Sequence, residues 1–166
     1  MNLRVLLVVP SLDVLHFKGL ARVSLELVKG LNKFVDLEVV EVHKPRKNYL
    51  KNLTIIPFKE ITSKADICHA VVPESGAIAF LKRKRMVTTF HDLMPLKLAE
   101  MLDFRHKTIF KAYVLLMWNL ASRSEAVLCD STQTAIEVKE IFNCKPIVIN
   151  LGVDKKFKPH SYGHCC

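Results

Sequence analysis

His91 and Asp92 follow directly on the run Met86-Val87-Thr88-Thr89-Phe90, so two groups able to exchange a proton or bind a hydroxyl stand where a β-branched segment ends. Open α/β sheets bind ligands at this kind of strand-to-loop junction. The pair also has a purely structural reading, in which the imidazole satisfies a buried carbonyl and the carboxylate caps the following turn. Two other points share the setting: Gly19 opens a helical segment after the first apolar run, and Asp130-Ser131 follows the run Ala126-Val127-Leu128-Cys129. All of these are expected at the C-terminal ends of strands, converging on one crevice, which favours the functional reading.

Several chemistries are excluded. No G-x-x-x-x-G-K-[ST] loop occurs, and Gly19 stands alone where a dinucleotide fold would place three glycines, so nucleotide cofactors of those types are not expected. Ser131 lacks the G-x-S-x-G elbow that would expose it as a nucleophile beside His91 and Asp92. The tail His160-Ser161-Tyr162-Gly163-His164-Cys165-Cys166 holds metal-binding residue types, but vicinal cysteines chelate poorly and no C-x-x-C partner exists. It reads as a frayed terminus, and neither metal nor cofactor is expected.

The elements that must position these residues follow from apolar patterning. Short apolar runs at 3–9, 37–42, 53–56, 67–72, 87–90, 126–129 and 146–149, several of them continuously apolar, alternate with helix-length stretches at 20–33, 74–83, 105–123 and 131–143. Strands that are apolar throughout are covered on both faces, and the intervening helices supply the cover. The expected fold is a doubly wound, mostly parallel, Rossmann-like α/β sheet of about seven strands over residues 1–150, with a linker-like tail over 151–166. Leu20, Val23, Leu27 and Leu31 recur at helical spacing behind Gly19, and Ser131 or Thr132 caps the helix that Asn143 stops.

The 166 residues suit one domain, with 50% hydrophobic and 25% charged residues. The N-terminal apolar run is too short for a signal peptide, and the stretch 112–121 falls short of the roughly 20 residues a membrane span needs. Without a secretory signal the sequon at Asn52 carries no weight. Five cysteines without framework spacing point to reducing, cytoplasmic conditions. A net charge of +9 calls for an anionic neighbour: phospholipid headgroups, a phosphorylated substrate, nucleic acid or an acidic partner domain. The run Lys82-Arg83-Lys84-Arg85 reads as a solvated turn rather than a nucleic-acid patch, because no aromatic residue interleaves with it.

In order along the chain, the segments resemble the N-terminal half of a retaining family 4 glycosyltransferase of GT-B architecture. Leu6-Leu7-Val8-Val9-Pro10 and Gly19-Leu20-Ala21-Arg22 resemble its first strand and Gly-Gly-x-x-Arg helix start. Thr88-Thr89-Phe90-His91-Asp92-Leu93-Met94-Pro95-Leu96 resembles its T-x-H-D-L-x-P-L segment, and Glu125-Ala126-Val127-Leu128-Cys129-Asp130-Ser131 its "ADAVIAVS" strand. Asn150-Leu151-Gly152-Val153-Asp154 with Phe157-Lys158-Pro159 resembles its N-G-V-D-x-x-x-F-x-P linker. Two departures stand out: Leu20 replaces the second glycine, and Leu151 interrupts the Asn-Gly pair.

The resemblance implies an acceptor-binding half that completes its cleft with a donor domain, absent from this chain, and is inactive alone. It implies that His91 orients a sugar hydroxyl and stabilises charge at the reacting centre. Asp92 would hold the loop or contact a hydroxyl, and Ser131 would bind an acceptor phosphate or hydroxyl. Gly19 would lie at the substrate, with Arg22 and Lys18 toward an anionic headgroup. The implied partners are a nucleotide sugar held by the donor domain and an acceptor glycan or lipid-linked sugar, with peripheral contact to an anionic membrane and none with nucleic acid. The competing expectation is a non-catalytic module that docks on anionic membrane or on a protein partner.

Overall fold

The computed structural model describes residues 3–41, 63–75, 85–99, 101 and 104–153. The expected strand at 53–56, most of the expected helix at 74–83, the basic residues 82–84 and the tail from 154 onward lie outside the described residues.

Along the chain the elements are β1 (Arg4–Val9), α1 (Val14–Leu31), β2 (Asp36–Glu41), β3 (Ile67–Ala70), β4 (Arg85–Phe90), α2 (Met94–Ala99), α3 (Phe104–Ala121), β5 (Ala126–Cys129), α4 (Thr132–Phe142) and β6 (Ile147–Val148). The strands form one six-stranded sheet in the order β2-β1-β3-β4-β5-β6. Each neighbouring pair is parallel. The sheet is Rossmann-like, and its order reverses between β1 and β3, where the chain turns outward in both directions.

Burial explains the apolar runs. Leu6, Leu7, Val8 and Val9 of central β1 are wholly buried, two on each face of the pleat. Leu7, Val9 and Val71 pack on the α1 side with Leu27, Val28 and Leu31. Leu6 and Val8 face the other way and join Val40, Cys68, Ala70 and Met86. Beyond them, Phe90, Val127 and Cys129 lie under Val114 and Trp118 of α3 and Ala135 and Val138 of α4. Phe90 and Trp118 meet edge-to-face at 5.7 Å between centroids.

The helix after β1 begins earlier than its apolar spacing predicts. Asp13 Oδ1 accepts from Leu15 N–H at 3.0 Å and starts a first turn whose Val14 and Leu15 are exposed, so no buried stripe marks it. The axis then breaks at Lys18, which has φ 31°. Gly19 is the first residue after that break.

The α4 helix follows its sequence signals closely. Ser131 is extended at φ −144° and accepts from Thr134 N–H, while Asn143 takes the left-handed conformation at φ 51° and donates its N–H to Lys139 O. The short helix α2 is an addition. Asp92 Oδ1 accepts from Met94 N–H at 2.9 Å, and Pro95 falls within the first turn, where its missing N–H costs nothing.

Candidate active site at the strand ends

The imidazole of His91 is fixed from two sides, and neither partner is Asp92. Its Nδ1 lies 3.1 Å from Asp130 Oδ2, at the end of β5, and its Nε2 lies 3.0 Å from the carbonyl oxygen of Val71, at the end of β3. Both side chains are mostly buried, 14% and 16% exposed. A carbonyl and a carboxylate only accept, so in each contact the ring nitrogen is the donor when it carries the hydrogen. The hydrogen bonds match the structural reading of the pair, with the imidazole on the Val71 carbonyl and the Asp92 carboxylate capping α2, while the acid at Nδ1 comes from across the strands.

The backbone at His91 is held as well. Thr134 Oγ1 donates to the His91 carbonyl oxygen at 3.1 Å. Thr134 has one hydroxyl hydrogen, and this bond uses it, so the 2.8 Å contact between Ser131 Oγ and Thr134 Oγ1 is donated by Ser131. Ser131 Oγ also accepts from Thr134 N–H at 3.1 Å. The Ser131 hydroxyl therefore has no hydrogen left for a phosphate; it keeps one lone pair that could accept from a hydroxyl.

A second histidine escapes a reading of the sequence as strands and loops. His69 sits inside β3, with Leu7 and Val87 as its lateral neighbours, and its Nε2 lies 2.9 Å from Thr89 Oγ1. Burial, and then the charge of nearby His91, push its pKa down from 6.5 to about 4. A histidine interrupting an apolar strand was the available signal. Asp130 was visible only as a helix-preceding acid, since its partner lies 39 residues away.

Gly19 and Arg22 belong to a different cleft. They line a space of about 740 Å³ with Val23, Glu26, Leu151 and Gly152, and His91, Asp92 and Ser131 do not line it. Of the five expected site residues, Gly19 and Arg22 border this space, and Gly19 lies past the first turn of α1 rather than in the loop at the end of β1. A Cβ built on Gly19 meets nothing within 4 Å, so the backbone there opens onto unfilled space.

The loop after β1 is braced by Glu41, at the end of β2. Its Oε1 accepts from Ser11 Oγ at 2.8 Å and from Leu12 N–H at 2.9 Å. The cysteines near the strand ends are poor nucleophiles. Burial, with the neighbouring Cys144 and Asp130, pushes the Cys129 thiol up to about 11, and burial raises Cys144 as well. Among the described residues no group of three or more His, Cys, Asp or Glu could hold a metal ion.

The family model described as Glycosyltransferase Family 4 matches residues 17–157, most of the chain and all the residues of both groups. No match was found among curated proteins.

Proposed function

Since the chain belongs to glycosyltransferase family 4, we propose that it forms the acceptor-side half of a retaining, sugar-nucleotide-dependent transferase of glycan or glycolipid synthesis in the cytoplasm. The nucleotide sugar is held by a donor domain that closes over the strand ends. The single observation that carries this reading is the family match across residues 17–157.

The geometry at His91 suits this role. In the open state the ring is held by Asp130 and the Val71 carbonyl. When a donor sugar enters, Nε2–H exchanges the Val71 oxygen for a sugar oxygen, while Asp130 keeps the ring oriented and supports charge at the reacting centre. Asp92 spends Oδ1 on the α2 cap and turns its other oxygen to an acceptor hydroxyl. Ser131 offers its remaining lone pair to a hydroxyl, not a phosphate. The cleft beside Gly19 takes the part of a substrate that needs close backbone approach, and Arg22 borders it.

Titration calorimetry of the isolated chain with nucleotide sugars tests the division of labour. No binding is expected without the donor domain. Tight binding of a nucleotide sugar by this chain alone would overturn the reading.

A further inference from the structure

The ends of β3 and β4 are joined by two side-chain bonds that form a closed frame. His69 Nε2 lies 2.9 Å from Thr89 Oγ1, and His91 Nε2 lies 3.0 Å from the Val71 carbonyl oxygen. His69 and Val71 stand two residues apart on one leg of the frame, and Thr89 and His91 stand two residues apart on the other. The legs are neighbours in the sheet: Ala70 pairs with Thr88, which brings Val71 and Thr89 next in line. The β3 leg is anchored on its far side, where Val71 N–H donates to Val8 O at 2.9 Å.

The lower rung, from His69 to Thr89, has the chemistry of a permanent tie. Burial, and then the charge of His91, push the His69 pKa down to about 4, so its ring is neutral at pH 7. A neutral imidazole has one donor and one acceptor nitrogen, and a hydroxyl can give or take, so the rung forms whichever partner supplies the hydrogen. His69 stands between apolar Leu7 and Val87, and breaking its bond to Thr89 would leave a largely buried nitrogen unpaired.

The upper rung is a working contact. In the transfer role proposed above, His91 Nε2 leaves the Val71 oxygen for a sugar oxygen, which opens the frame at the strand ends. The bond from His69 to Thr89 then still joins β4 to β3, two residues short of the ring that must stay in place.

We propose that His69 and Thr89 are positioning residues for His91: their bond holds the end of β4 against β3 while the His91 ring trades its Val71 contact for substrate. The inference rests on that transfer role. His69 acts from within the packing of the sheet, through Thr89 and the backbone that leads to His91.

Two variants at Thr89 test the rung. Thr89→Val keeps the branched shape that suits a strand and removes the hydroxyl, whereas Thr89→Ser keeps the hydroxyl. In the full chain, the ring-nitrogen resonances of His91 are expected to shift in Thr89→Val and to return in Thr89→Ser. In the chain mixed with a family 4 donor domain, Thr89→Val should lower the rate constant for transfer about tenfold or more with acceptor affinity little changed, and Thr89→Ser should restore it. A lower unfolding midpoint in Thr89→Val with unchanged His91 resonances would overturn the proposal and assign the bond to stability alone. Transfer at the full rate by Thr89→Val, or an equal loss in Thr89→Ser, would overturn it as well. The resonances need no donor domain, so they decide the rung even if the mixture transfers no sugar, a result that would count against the transfer role itself.

Discussion

Inside the sheet, His69 shares one hydrogen bond with Thr89 and is buried among strand side chains, without an acid. At the end of the same strand region, His91 has an acceptor on each nitrogen and an acid, Asp130, as one of them. Burial, and then nearby His91, push the His69 pKa down to about 4. At the strand end a carboxylate and a loop carbonyl fix the ring from two sides. One residue type thus has two roles, set by where its strand stops. The interior histidine belongs to the packing, and the terminal one is held between two loop groups.

The sharpest way to break this contrast is Asp130→Asn. The amide cannot match the carboxylate opposite Nδ1, so the ring should be held less firmly or turn. The expected cost is about 2 kcal/mol of stability in denaturant unfolding, from one charge-assisted bond. The ring-nitrogen resonances of His91 should shift as Nδ1 loses its carboxylate partner. An unchanged ring spectrum would show that Asp130 does not hold it.

His69 makes the opposite prediction through pH. Above 6.5 the ring is neutral in both folded and unfolded chains; between 6.5 and about 4 only the unfolded chain takes up the proton. Stability should therefore fall as pH drops through that window. His69→Leu, placed between Leu7 and Val87, should flatten this part of the profile in denaturant midpoints at several pH values. A profile of the same slope in the variant would assign the acid sensitivity to other groups.

Smaller effects test the clamp on the His91 backbone and the cleft beside α1. Ser131→Ala removes both the cap and the hydrogen given to Thr134, and should cost about 1 kcal/mol in thermal or denaturant unfolding. Gly19→Ala should leave stability unchanged or raise it by up to about 1 kcal/mol, because a Cβ there meets nothing and alanine favours helix. If a substrate approaches that backbone, the same variant will lower acceptor affinity while the fold is intact. A loss of stability would instead mean that Gly19 serves the helix.

Much of the fold was legible because its strands are buried on both faces, which leaves continuous runs such as Leu6 to Val9. The α4 caps were legible for a related reason: Ser131 and Asn143 act on their own neighbours. The site was less so. His91 finds its partners at Val71 and Asp130, 20 and 39 residues away, so the sequence showed what kind of group its ring would meet but not which residues supply it. The break in α1 was similarly displaced, since the left-handed φ falls on Lys18 while the glycine that signals it stands next door. Pro95 reads as a helix breaker unless Asp92 is recognised as the cap that makes room for it. His69 was overlooked because an apolar run hides the one polar residue its packing can neutralise.

The central claim is that His91 acts within a cleft completed by a donor domain, and sugar transfer by the reassembled pair tests it most directly. Mixed with a family 4 donor domain, nucleotide sugar and acceptor, the chain should yield product with retained configuration, where either half alone gives none. His91→Ala should lower the rate constant about a hundredfold or more while binding of the acceptor changes little. Transfer at an undiminished rate by the His91→Ala pair would contradict the account.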